Sequence, residues 1–168
     1  LISVSGPLLA LLKSGQYKRA DLYDVELING TTLHWSTWDL PVTTGGNTYS
    51  SSGVNITRDK WSIKIGLEVS TFNVTVGVDP NNEPTVNGVP LRQAARAGLF
   101  DYAKVTMSWA YFDASNSLIG TIPRLFGHVG AAIFDRVGMK LPVNSILKQL
   151  DMQIPWKLFG PTCPWILG

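Results

Sequence analysis

His34 and His128 are the only histidines in this chain, and so the only side chains whose ordinary proton affinity suits acid–base work near neutral pH. A hydrolytic triad needs one of them beside a nucleophile and a carboxylate. No Gly-x-Ser-x-Gly turn is present to display a serine. His34 falls between Leu33 and Trp35, and His128 between Gly127 and Val129. Both segments have strand character, so both histidines read as ordinary sheet residues with no partner constellation. Asp24 and Glu26 project from one strand face, as residues two apart must, and could mimic a glycosidase pair. Solvated carboxylates on a strand face are far commoner. The chain has no phosphate-binding loop, no EF-hand and no His-Glu-x-x-His.

The six tryptophans raise a second chemistry, the stacking of indole on sugar rings. Trp35 and Trp38 are an odd number of positions apart, which in a regular strand puts them on opposite faces and denies them a common platform. Trp61 and Trp109 stand in β patterns and read as core or interface residues. Cys163 is the only cysteine, so there is no intrachain disulfide framework and nothing that argues for an oxidising compartment. It sits between Pro161 and Pro164 in an irregular tail, an odd place for core packing. Proline-bounded cysteines can hold a thiolate in a fixed loop, but iron–sulfur clusters use about four such ligands. One cysteine alone establishes no site.

The elements that would position these residues are mostly strands. Ser5-Gly6-Pro7, a leucine run and Ser14-Gly15 predict one short helix, with Ser5 or Gly6 as cap and Gly15 as stop. From Tyr17 the period becomes two. Leu22 to Leu27 alternates, Asn29-Gly30 predicts a type I′ hairpin turn, and Thr31 to Trp38 is the return strand. Gly45-Gly46-Asn47 implies a second hairpin. A third β segment runs from Trp61 through Val78. Pro90 to Gly98 predicts an internal helix with an apolar stripe of Leu91, Ala94 and Ala95. Val105 to Phe112 and Leu118 to Val129 are strands around a turn at Asp113 to Ser117, and Ala131 to Leu141 completes the sheet. After Pro142 the pattern becomes an irregular arm. The fold class is mainly β (α+β), a barrel or sandwich with a short N-terminal helix and one internal helix.

Composition narrows the function classes. Hydrophobic residues make up 45% of the 168 and charged residues only 15%, against about 25% in a usual soluble domain. The shortfall suggests that part of the surface is covered by something else, which fits a subunit of a large assembly and also a very compact monomer. Fourteen Lys plus Arg against twelve Asp plus Glu leave a net charge of +2. That is too little, and too scattered, for nucleic-acid binding as the main function. The Leu8–Leu12 run has its basic residues after it and no cleavage site, so it is not a signal peptide. No stretch approaches the ~18 apolar residues of a membrane helix. Synthesis and assembly in the cytoplasm are expected, and a start without methionine and an end at Gly168 suggest a piece of a longer chain.

Four stretches resemble a known family. They are Asp24-Val25-Glu26-Leu27 with Asn29-Gly30, Leu33 to Asp39, Asn47-Thr48-Tyr49 and Gly53; Arg96-Ala97-Gly98-Leu99-Phe100-Asp101-Tyr102-Ala103-Lys104-Val105; Phe126-Gly127-His128-Val129-Gly130; and Cys163-Pro164-Trp165-Ile166-Leu167-Gly168. Together they are similar to the tail-tip (upper baseplate) hub proteins of long-tailed phages and gene transfer agents, more distantly to minor tail protein L of lambda-like phages. The resemblance implies a tail-tube-like β-barrel hub domain over 1–141, and an irregular arm over 142–168 leading to a further C-terminal region. It implies a structural virion component without enzymatic activity, a homotrimeric ring at the tail tip. Its partners would be the distal tail protein ring, the central tip or fibre protein and the tape measure protein, with DNA crossing the channel unbound. Cys163 would be the first ligand of a 4Fe–4S cluster whose other ligands lie beyond Gly168. A carbohydrate-binding β module, and then a hydrolase, remain the alternatives.

Overall fold

The computed structural model describes residues 4–60, 71–135 and 138–145. Helix α1 (Gly6–Ser14) is followed by β1 (Lys18–Glu26), β2 (Thr32–Ser36), β3 (Val42–Thr44), β4 (Asn47–Tyr49) and β5 (Val54–Arg58). Then come β6 (Thr71–Val78), β7 (Thr85–Val86), β8 (Val89–Pro90), α2 (Leu91–Arg96), β9 (Lys104–Phe112), β10 (Leu118–Val129), β11 (Ile133–Phe134) and β12 (Gly138–Ser145). Among the described residues the main sheet runs β2-β1-β9-β10-β12-β6-β5, with β11 added on β12. It curls into a nearly closed barrel. The two end strands approach each other: Trp35 of β2 shares the main core with Val54 and Ile56 of β5, and Arg58 of β5 reaches Asp21 of β1.

The expected hairpin over Asp24 to Trp38 is present, but its turn is not type I′. Gly30 takes a left-handed φ of 84° while Asn29 does not. The Gly30 N–H donates to the Leu27 carbonyl and the Leu27 N–H to the Thr31 carbonyl, each at 2.9 Å. Ile28, Asn29 and Gly30 thus form a three-residue loop closed by a left-handed glycine. The Asn29 carboxamide accepts the Thr31 N–H, which favours this arrangement. Strand β5 is an element the sequence pattern passes over, although Val54-Asn55-Ile56-Thr57-Arg58 alternates in burial as a strand should. Of the segment from Trp61 to Val78, Thr71–Val78 is strand; 61–70 lies outside the described residues. The last strand continues through Pro142 to Ser145 rather than ending at Leu141. The Pro142 carbonyl accepts the Gly130 N–H, on the side where β10 gives way to β11, so the proline's missing N–H interrupts no ladder bond. The arm beyond, over 146–168, lies outside the described residues.

Two helices close the barrel. α2 is shorter than the Pro90–Gly98 expectation, with Pro90 preceding the helix, and buries Leu91, Ala94 and Ala95 in the main core. Its first turn is held by Glu83, which accepts the Arg92 backbone N–H at 2.8 Å and that residue's guanidinium at 2.8 and 3.1 Å. α1 ends at Gly15 as expected, but Ser5 makes no side-chain cap. It docks through Leu8 onto Tyr111 and Ile122, with Leu11 and Leu12 half-buried beside it.

The β3–β4 hairpin covers the outer face of β1. Val42 and Tyr49 join Ala20, Leu22, Ala110 and Phe112 in a second cluster, with Trp38 stacked on Phe112 at 4.6 Å. The Tyr49 hydroxyl donates to Asp24 at 3.1 Å. Burial, then that bond to a carboxylate, pushes the Tyr49 phenol up to about 12. On the inner face Tyr23 is also pushed up, by burial first and then by the Asp21 charge. Asp21 itself is buried and bonded by the Arg58 Nε at 2.5 Å.

Two outcomes follow from this packing. A Cβ at Gly127 would stand 2.9 Å from Val143 Cγ1 and press on the Asn144 carbonyl, because β10 crosses β12 there. Gly127→Ala should destabilise the fold by about 1–3 kcal/mol, read as a lower midpoint in urea at unchanged slope. Both phenols titrate higher in the folded chain than the unfolded value near 10, so their stabilisation is complete below about pH 10 and is lost as pH rises toward the folded values. Stability should fall in that alkaline window, and Tyr49→Phe should flatten part of the fall; an unchanged profile would refute the account.

Candidate functional site

The register of the first hairpin sets Asp24 opposite His34. Their side chains meet, with His34 Nδ1 2.6 Å from an Asp24 oxygen. The other Asp24 oxygen accepts the Tyr49 hydroxyl, and the His34 and Tyr49 rings meet edge to face at 5.2 Å. His34 thus has a carboxylate partner that the sequence reading did not assign to it. The signal was available: the two residues are equidistant from Asn29, the centre of the hairpin. The arrangement is a closed set of contacts that fastens the β3–β4 hairpin to β1, and each carboxylate oxygen is engaged. No serine or cysteine joins it among the contacts of the described residues. A histidine–carboxylate pair without a nucleophile orients a ring but attacks nothing.

The remaining candidates are held apart. Glu26 pairs with Lys104 at 3.0 Å, so Asp24 and Glu26 each serve a different neighbour. His128 touches the Tyr102 carbonyl at 3.4 Å and the Phe126 ring edge. Trp35 is buried and stacks on Phe100 at 6.1 Å, while Trp38 belongs to the outer cluster. They form no exposed platform, as their spacing predicted. Two open concavities of about 420 Å³ are lined by Ser51, Gly53 and Asp79 on one side and by Glu83, Arg92 and Arg96 on the other. Neither is lined by a histidine. Cys163 and Trp61 lie outside the described residues. Among the described residues no group of three or more His, Cys, Asp or Glu side chains is placed to hold a metal, so this part of the chain supplies no ligand set for a cluster.

The motif around Phe100 has a structural explanation. Phe100 is fully buried against Trp35. The Asp101 carboxylate accepts the Ala132 N–H at 3.3 Å. Tyr102 takes a left-handed φ of 60°, donates its N–H to Val129, and leaves its ring 78% exposed. This connection ties α2 to the ends of β9 and β10. Tyr102, Phe126 and Ile133 are exposed apolar side chains near this end.

Sequence reasoning missed a cationic cluster at the opposite end. Trp109 is half-buried on β9, flanked by Arg19 of β1 and Arg124 of β10, whose Cζ atoms lie 4.3 and 4.0 Å from its ring centroid. Cross-strand register could have placed Arg19 near Trp109, but Arg124 stands at an irregularity of β10 that only the folded chain reveals. No helix among the described residues is long and apolar enough to cross a membrane.

Comparison with known proteins agrees with this architecture. No curated protein matches the chain. One solved chain, from a structure titled "Virion of native gene transfer agent (GTA) particle", shares the fold with a TM-score of 0.70 at 17% identity. The match covers 97% of this chain and 52% of that one, so the present chain spans about half the length of that relative. A family model described as "Baseplate hub protein, N-terminal attachment domain" matches residues 5–168. The chain therefore belongs to the baseplate hub protein family through its N-terminal attachment domain, a structural component of the virion tail.

Proposed function

We propose that this domain builds the hub ring at the tail tip, joining the distal tail ring to the central tip or fibre protein. The observation that carries this reading is the attachment-domain match along nearly the whole chain, on a barrel whose two helices and outer hairpin leave no recognisable catalytic constellation among the described residues. The role is one of scaffold, with no chemistry at His34 or His128. A homotrimer is the assembly that fits the resemblance, and closed rings are the common solution for such parts. The tape measure protein would be a further neighbour. A net charge of +2 with 15% charged residues suits a channel that DNA crosses without adhering. Light scattering of the full-length protein should give a trimer, and averaged images of tails should place it in a threefold ring at the tip. A strict monomer at high concentration, absent from purified tails, would overturn the reading.

The iron–sulfur expectation for Cys163 belongs to the same reading. Its support is the proline-bounded cysteine and the resemblance of its flanking residues. The longer chain purified without oxygen should be brown and contain stoichiometric iron. Cys163→Ser should remove the colour while the barrel stays folded, since the described core contains no metal site. Iron retained after that substitution would defeat the assignment.

A further inference from the structure

Arg19, Trp109 and Arg124 come from three adjacent strands and meet on the inner face of the sheet beside Tyr111. The Trp109 Nε1–H and the Arg124 Nε–H are both enclosed with no acceptor. The Nη atoms of Arg124 are not among the enclosed donors that lack a partner, and Arg19 is exposed. The two guanidiniums share one indole, and among the described residues no carboxylate is bonded to either. Asp21, which stands opposite Trp109 in register, is bonded through its Oδ2 to Arg58 and the Tyr23 hydroxyl, and neither arginine of the cluster is paired with it. Tyr17 meets Tyr111 edge to face at 5.3 Å, adding a second phenol to the rim. The Tyr111 phenol is raised by burial first and then by the neighbouring Tyr17, while Arg124 and Arg19 pull it the other way, which places all three groups around it.

Buried donors are almost always satisfied, and paired arginines facing one spot are a usual receptor for a planar anion. We infer that the Arg19–Trp109–Arg124 cluster receives a carboxylate side chain from a neighbouring tail subunit, so that the cationic site is completed only on assembly. A protein carboxylate suits it better than nucleic acid. The flat guanidinium–indole stack matches a planar two-oxygen acceptor, whereas a phosphodiester chain needs a run of cations. The nearby cations provide no such run: Lys18 is bonded to Asn116 and Arg58 to Asp21.

The inference rests on the baseplate reading for the source of the partner, and two measurements keep the two apart. In the first, an N-acetylated, C-amidated tetraglutamate peptide is added to the ¹⁵N-labelled chain. The Trp109 Nε1–H and Arg124 Nε–H resonances should shift saturably, and Arg19→Gln and Arg124→Gln should each weaken the peptide about tenfold or more. If Arg124→Gln fails to fold, the exposed Arg19→Gln decides alone. A response no larger than that to sodium chloride at equal ionic strength overturns the inference. An equal response to inorganic phosphate does so too, since it marks an unselective anion site. In the second, tails are assembled with wild-type or Arg19→Gln chain, and reduced incorporation of the variant is expected. Equal incorporation overturns the inference and leaves the baseplate reading standing, whereas a wild-type chain missing from tails defeats that reading and leaves the peptide titration to judge the cluster.

Discussion

Between Ala20 and Tyr23, strand β1 has no face turned to solvent. Tyr23, Val25 and Leu27 enter the barrel core, while Ala20 and Leu22 point to the outside of the sheet, where bare apolar surface would be costly. The β3–β4 hairpin exists to cover that outer surface, and its docking accounts for much of what surrounds it. Trp38 stacks on Phe112, Tyr49 bonds Asp24, and Asp24 in turn holds His34. The histidine–carboxylate pair that looks like chemistry is therefore a fastening between a sheet and its cover. On the inner face, the same strand supplies Asp21, which cannot be buried as a charge unless Arg58 comes to it from the far end of the sheet. That ion pair joins β5, at one end of the sheet, to β1, next to the other end, and so holds the curl.

The barrel interior is graded from apolar to cationic along its length. Around Met107 and Val105 the core is aliphatic and aromatic, with α2 closing it. Near Trp109 it becomes polar, and beyond Tyr111 it is closed by Leu8 of α1. At the aliphatic end the core is continuous with α2, while at the cationic end the Trp109 Nε1–H and Arg124 Nε–H are enclosed without an acceptor among the described residues.

Several departures from the sequence expectation share a cause: short-range signals identify a break but not its geometry. Asn29-Gly30 marks a hairpin in both the two- and three-residue loop forms, since each needs glycine where φ is positive, and the choice falls to cross-strand pairing. Pro142 reads as a stop because proline donates no hydrogen bond. In β12 that missing donor faces the step between β10 and β11, where the ladder is already interrupted, so the strand continues. Strand β5 is not legible in the pattern because five residues after a glycine turn are a weak signal until β6 pairs with them.

The sequence by itself determined the β class, the two helices and the first hairpin, because binary patterning and turn residues act over a few neighbours. It also carried the family likeness, which lives in local motifs such as the buried Phe100 and the tight crossing at Gly127. Beyond the Asp24–His34 pair, which the hairpin's symmetry implies, tertiary structure decided which polar residues meet. Asp21 and Arg58 come from strands far apart in the sheet order, and only the curl of the sheet brings them within bonding distance, while Trp109 meets its two arginines through the pairing of β1, β9 and β10 and the irregularity at Arg124. Periodicity reports which face a residue takes; it does not report what stands across the barrel from it.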